Sequence, residues 1–182
     1  LGERSVAIGN NNEAQSTGSI TLGVGYSDGN AANGLKQTLA VTGYEYNMAI
    51  GAGAQSAGNS SIAMGTLATS SIKNKGDAVD KAIAIGYSAG VSDSKAIAIG
   101  SDAKSNSKSA SALGDTAQAL ANDALAIGTQ AQASGSTSAA IGARSAVSGA
   151  NTYVVGSDNS NNPAGTGATI TATNSGVFGN QN

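Results

Sequence analysis

Few residues in this chain could carry chemistry, and their spacing fits no reaction centre. Asp115 and Asp123 stand eight apart, and Asp77 and Asp80 three apart. Each pair offers the two carboxylates that general acid–base work uses. Acidic residues in such polar stretches serve turns and solvated surface. None of the 182 residues is His, which removes the commonest general base and metal ligand. It also removes the acyl transfer of coiled hexapeptide-repeat enzymes, which depends on a His. None is Cys, so neither a disulfide nor a thiolate metal site can form. The glycine-rich runs GVGYSD (Gly23–Asp28) and GAGAQS (Gly51–Ser56) lack the third glycine of a dinucleotide loop. Thr169, Thr171 and Thr173 alternate as in an ice-binding array, but within one stretch rather than coil after coil. A formal net charge of −2 with no long run of either sign gives nucleic acid no footprint. No catalytic, metal or cofactor-binding residue is therefore expected, and no cofactor.

What carries these residues is a repeat. Pentapeptides ending in Gly recur along the chain: SVAIG at Gly9, SITLG at Gly23, NMAIG at Gly51, SIAMG at Gly65 and AIAIG at Gly86 and Gly100. They continue as ASALG at Gly114, ALAIG at Gly128, SAAIG at Gly142, TYVVG at Gly156 and SGVFG at Gly179. The Gly-to-Gly intervals are 14, 28, 14, 21, 14, 14, 14, 14, 14 and 23. The residue before each of these rung glycines is large and apolar, and the third before it usually is too. Between them sits a small or β-branched residue, so the period is two and the segment is a strand. The rung glycine ends the strand, where the backbone must turn tightly or approach a neighbour closely. A second, lighter strand follows, with Ala54, Ala68, Ala89, Ala103, Ala117 and Ala131 in the third place after the glycine and Ser or Ala mostly in the fifth. Gln55, Thr69, Lys104, Gln118 and Gln132 lie between them and suit water.

Fourteen residues are too few for a three-sided coil but enough for two short strands and two tight turns, so the coils are expected to stack into two parallel sheets. The scarcity of large side chains fits: 3% of residues are aromatic, Phe178 is the one Phe, and 26 are Gly. The expected slot sets Ile or Leu of the first strand against Ala or Ser of the second. On that assignment the central residues Ala7, Ala49, Ala63, Ala84, Ala98, Ala112, Ala126 and Ala140 point out of the roll. No charge occurs at that place in any motif, so this Ala row is the predicted face between copies of the chain. A thin roll buries little area per residue and gains from such association.

Three insertions break the interval, near residues 24–47, 71–81 and 157–175, and extra residues in a coil loop out on one face. The first carries Tyr26, Tyr44 and Tyr46, and the second Lys73, Lys75 and Lys81 with Asp77 and Asp80. Tyr44, Tyr46, Lys73 and Lys75 are the candidate ligand contacts.

AIAIGYSAG (Ala82–Gly90), AIAIGSDAKS (Ala96–Ser105) and ALAIGTQAQASG (Ala124–Gly135) resemble the repeat of YadA-type heads in trimeric autotransporter adhesins. Outside the insertions the resemblance covers nearly the whole chain. It implies an all-β, left-handed parallel β-roll, a solenoid of 14-residue coils, with residues 1–182 as a single head and three chains around one axis. It further implies display at the bacterial cell surface, beyond the outer membrane. No neck motif, heptad stalk or β-barrel anchor is visible, so membrane anchoring is expected only through parts outside this sequence. The function so implied is non-catalytic, multivalent attachment to a host extracellular-matrix protein, a host cell surface or another bacterium. The alternative is a structural spacer that projects a separate binding domain.

Overall fold

The computed structural model describes residues 2–25, 38–40, 44–70, 79–157, 169–170 and 172–179, and every regular element among them is a β-strand. The chain forms two compact units, Leu1–Lys95 and Ala96–Asn182. Each is a parallel β-solenoid of two sheets.

In the first unit one sheet is built from the three-residue strands before the rung glycines: Val6–Ile8, Ile20–Leu22, Met48–Ile50, Ile62–Met64 and Ile83–Ile85. Each pairs in parallel with the next, in the register of the repeat, as Ala63 with Ala84. The other sheet holds Asn12–Ala14, Thr38–Ala40, Gln55–Ser56, Thr69–Ser70 and Gly90–Val91. The second unit repeats the plan. Its rung-glycine sheet runs through Ile97–Ile99, Ser111–Leu113, Leu125–Ile127, Ala139–Ile141, Tyr153–Val155 and Gly176–Phe178. Its shorter strands lie at Lys104–Ser105, Gln118–Ala119, Gln132–Ala133, Ala146–Val147 and Thr169–Ile170.

All three insertions leave the rung-glycine ladder in step. Ile20 pairs with Met48 across the 28-residue interval, Ile62 with Ile83 across the 21-residue one, and Tyr153 with Gly176 across the 23-residue one.

The rung glycines are required twice over. Gly100, Gly114, Gly128 and Gly142 have φ of 134, 138, 123 and 128°, where side chains are rarely tolerated. A Cβ on Gly114 would also stand 2.5 Å from the Gly128 carbonyl oxygen. The turns need left-handed residues as well, at Asp102, Thr116, Gln130 and Arg144 after the glycine and at Lys95, Ser109, Asp123 and Thr137 before it. These two series are seven residues apart, so each coil is a doubled seven-residue unit.

The side-chain faces of the rung-glycine sheet are the reverse of the sequence expectation. Ala49, Ala63, Ala84, Ala98, Ala112, Ala126 and Ala140 are fully buried inside the single chain, and Ala7, in the first coil, is half-buried. They point into the roll, against Ala54, Ala68, Ala89, Ala103, Ala117 and Ala131 and the buried Ser56, Ser70 and Ser105 of the lighter strands. The lighter strands themselves face as expected. The physical reason is width: a coil of two or three residues a side, closed by tight turns, leaves a slot that methyl and hydroxymethyl groups fill to interior density. The core of the second unit is Ala110, Ala112, Ala117, Ala119, Ala124, Ala126, Ala131, Ala133 and Ala140, with Val147 and Val154. Ile and Leu, too large for that slot, turn outward.

Several interior hydroxyls donate to backbone carbonyls. Ser19 Oγ donates to the Ser16 carbonyl at 2.5 Å, Ser138 Oγ to that of Gly135 at 2.6 Å and Ser61 Oγ to that of Val79 at 2.5 Å. Asn47, in the same column as Ser19 and Ser61, is 1% exposed, and neither its amide nitrogen nor its oxygen has a partner.

Candidate interaction surfaces

Turning Ile and Leu outward leaves an apolar face on each unit. In the first it carries Val6, Ile8, Ile20, Leu22, Met48, Ile50, Ile62, Met64, Ile83 and Ile85. Ile8 is 60% exposed, and the others grade from exposed to half-buried as strands above and below cover them. In the second it carries two columns, Ile97, Ser111, Leu125, Ala139, Tyr153, Gly176 and Ile99, Leu113, Ile127, Ile141, Val155, Phe178. No charged residue stands in either. A regular uncharged apolar surface of this kind is a candidate place for another macromolecule to pack. Sequence reasoning placed these residues in the core and the Ala row at the interface. The seven-residue half-repeat was the signal for the correct choice: the small residues of the lighter strand and the small residues seven places earlier occupy equivalent inward positions.

The opposite sheet presents polar side chains. Gln55 and Thr69 are half-buried in register in the first unit, and Lys104, Gln118 and Gln132 line up in the second. Thr116, Gln118, Gln130 and Gln132 edge a shallow hollow of ≈ 270 Å³. Among the described residues no group of three or more acidic, His or Cys side chains could hold a metal ion. Asp115 and Asp123 lie in turns on either side of a coil: Thr116 Oγ1 donates to the carbonyl of Asp115, and Asp123 has a left-handed backbone.

One turn of the first unit is tied by side chains from coil to coil. Asn59 Oδ1 accepts from the Glu45 amide at 2.8 Å, Asp80 Oδ1 from the Asn59 amide at 2.8 Å and Ser94 Oγ from the Asp80 amide at 3.2 Å. Asp80, half of one carboxylate pair weighed above, is thus a structural link. Of the candidate ligand contacts, Tyr44 is half-buried and Tyr46 is 63% exposed, its ring lying against Gly18 of the preceding coil. Lys73 and Lys75 lie outside the described residues, as does Asp77.

The family model of the YadA head domain repeat matches residues 1–25, 48–68, 80–103, 105–131 and 121–145. These matches cover most of the chain and leave out much of each insertion. Comparison with curated proteins found no match.

Proposed function

We propose that this chain, which belongs to the YadA head family, is the trimeric adhesive head of a bacterial surface protein. The family is one of non-enzymatic adhesin heads, and membership implies exposure at the cell surface. Association of three copies is the part of the reading that the apolar face supports. Val6, Ile8, Ile99, Val155 and Phe178 are exposed by 43, 60, 38, 36 and 75% in the single chain. Burying the two columns of each copy against its neighbours around an axis removes that surface from water, at about 25 cal/mol per Å² of apolar area. The polar sheet, with Gln55, Thr69, Lys104, Gln118 and Gln132, then faces outward. Many weak contacts repeated along three chains, and across many molecules on one cell, would add through avidity without a deep pocket. The partners are a host matrix protein, a host cell surface or another bacterium.

Two measurements test this. Light scattering should give three times the 17.4 kDa chain mass, and the purified trimer should adhere to at least one of immobilised matrix proteins, cultured cells or bacteria. A monomeric mass at micromolar concentration would remove the assembly. A trimer adhering to none of the three would point to a spacer.

A further inference from the structure

We propose that Lys108 of one copy and Asp115 of the next close an ion pair at each corner of the assembly, joining the copies edge to edge around their axis. The inference rests on the reading that the apolar face joins copies of the chain, and it says which edges of that face meet. It starts from two charges that bracket an uncharged strand. Ser111–Leu113 lies within the second unit, with described coils on both sides of it. Lys108 stands three residues before this strand and Asp115 two after it. Both are exposed, and among the described residues neither charged head has a partner in its own chain. The turns that carry them are tied into the ladder. On the entry side the Asp123 amide donates to the Lys108 carbonyl at 3.0 Å. On the exit side the Gln130 amide donates to the Asp115 carbonyl at 2.9 Å, and the Thr116 amide to that of Ser101 at 2.8 Å. The backbone under each charge therefore sits at a set height on the coil.

Closed rotation decides what these two edges meet. A ring of equal copies allows no shift along its axis, and its contacts are heterologous, one edge of a copy against the other edge of the next. Three such strands turned toward one axis make a triangle with sides about 10 Å long, at roughly 3.3 Å per residue. Rotation carries the exit end of each strand to the entry end of its neighbour's, at the same height. Every corner of that rung then sets Asp115 beside Lys108. The other charges in the turns of this unit are Asp102 and Arg144 on the exit side and Asp123 on the entry side. Asp102, one coil before Asp115, makes the exit edge more negative, whereas Asp123, one coil after Lys108, works against it. Opposite signs on the two edges of an uncharged face make the chain complementary to itself, which is the argument for a second copy as the occupant. Exposed ion pairs add little affinity singly, so the three act chiefly on which edges join.

Charge reversal in the whole chain tests this. Lys108→Asp and Asp115→Lys each set like charges at all three corners, and neither position has the positive φ that would strain a new side chain. Sedimentation at low salt reads the protein concentration at half-assembly. Each single variant should need at least about threefold more protein than the parent, and the gap should narrow at about 0.5 M salt. The double variant Lys108→Asp, Asp115→Lys should assemble as the parent does. An equimolar mixture of the two single variants should assemble more tightly than either alone. In the mixture Asp115 of the Lys108→Asp chain meets Lys108 of the Asp115→Lys chain, a repair that mixing could not make if the pair lay within one chain. Single variants that assemble like the parent, a double variant no better than the singles, or a mixture no better than its components would each overturn the ion pair and leave a trimeric parent standing. A monomeric parent would remove the assembly reading, and the pair with it.

Discussion

Replacing Ala126 by Leu tests the inverted faces directly, because the two assignments predict effects of opposite sign. Ala126 is fully buried and lies in register between Ala112 and Ala140, which are fully buried too, with Ala131 and Ala133 in the same core. Leu adds three carbon atoms to a slot whose walls are methyl groups with no rotamer to change. Both flanks are held by backbone bonds, Leu125 N to Ser138 O at 2.8 Å and Gly128 N to Leu113 O at 2.8 Å. The only relaxation is to part the sheets, so the loss falls at or beyond the upper end of overpacking effects, about 3 kcal/mol. For a chain of this size that lowers Tm by roughly 6–12 °C. Were the Ala row on the outer face, the same change would add apolar area to the contact between copies and raise Tm. The assay is circular-dichroism melting at several protein concentrations, since association makes Tm concentration-dependent. A variant melting within about 1 °C of the parent, or above it, would refute the closed methyl slot.

Gly114→Ala should destabilise by at least about 2 kcal/mol, through positive φ together with the Gly128 carbonyl; a urea titration measures it, and a midpoint equal to the parent's would contradict the glycine ladder. Asn47→Ser replaces an unpartnered buried amide by the residue its column uses at Ser19 and Ser61, and should stabilise by about 1 kcal/mol in the same titration. A loss instead would mean that the amide has a partner worth keeping. Deleting residues 72–78 restores the 14-residue interval and retains the buried Val79 and the Asp80 link, so the fold and its melting temperature should hold. Adhesion should also persist if contact is spread along the coils; its loss with the trimer intact would move the ligand contact to the insertion.

How the fold could be read from the chain is clear at particular residues. The rung glycines set the coil length, and the alternation around Ala98 set the strand, because a two-residue period and a fixed interval are properties of the backbone path alone. That Ile20 would meet Met48 across 28 residues followed too, since apolar pairs must resume the ladder wherever the interval is broken. The direction of the side chains did not follow. Alternation says that Ala98 and Ile99 point to opposite sides, but not which side is inside. The customary preference for burying the larger residue decided wrongly here, because it presumes a core wide enough to hold one.

The same point explains why the interaction surface was harder to place than the fold. In a globule the largest apolar residues mark the interior, so Ile97, Ile99, Leu125 and Ile127 were assigned there and the Ala row was left to face a partner. In a coil that closes after fourteen residues, the interior is set by the turns. Left-handed residues seven apart, such as Asp102 and Ser109, hold two short strands so close that Ala98, Ala103 and Ser105 fill the space between them. Ile and Leu at these places are only partly covered by the strands above and below them in the single chain, and full burial needs something outside the coil. Their regular recurrence in the columns of Ile97 and Ile99 is what the proposed assembly rests on. The proposed contact surface is laid out in the residues that, by size alone, look most like the core.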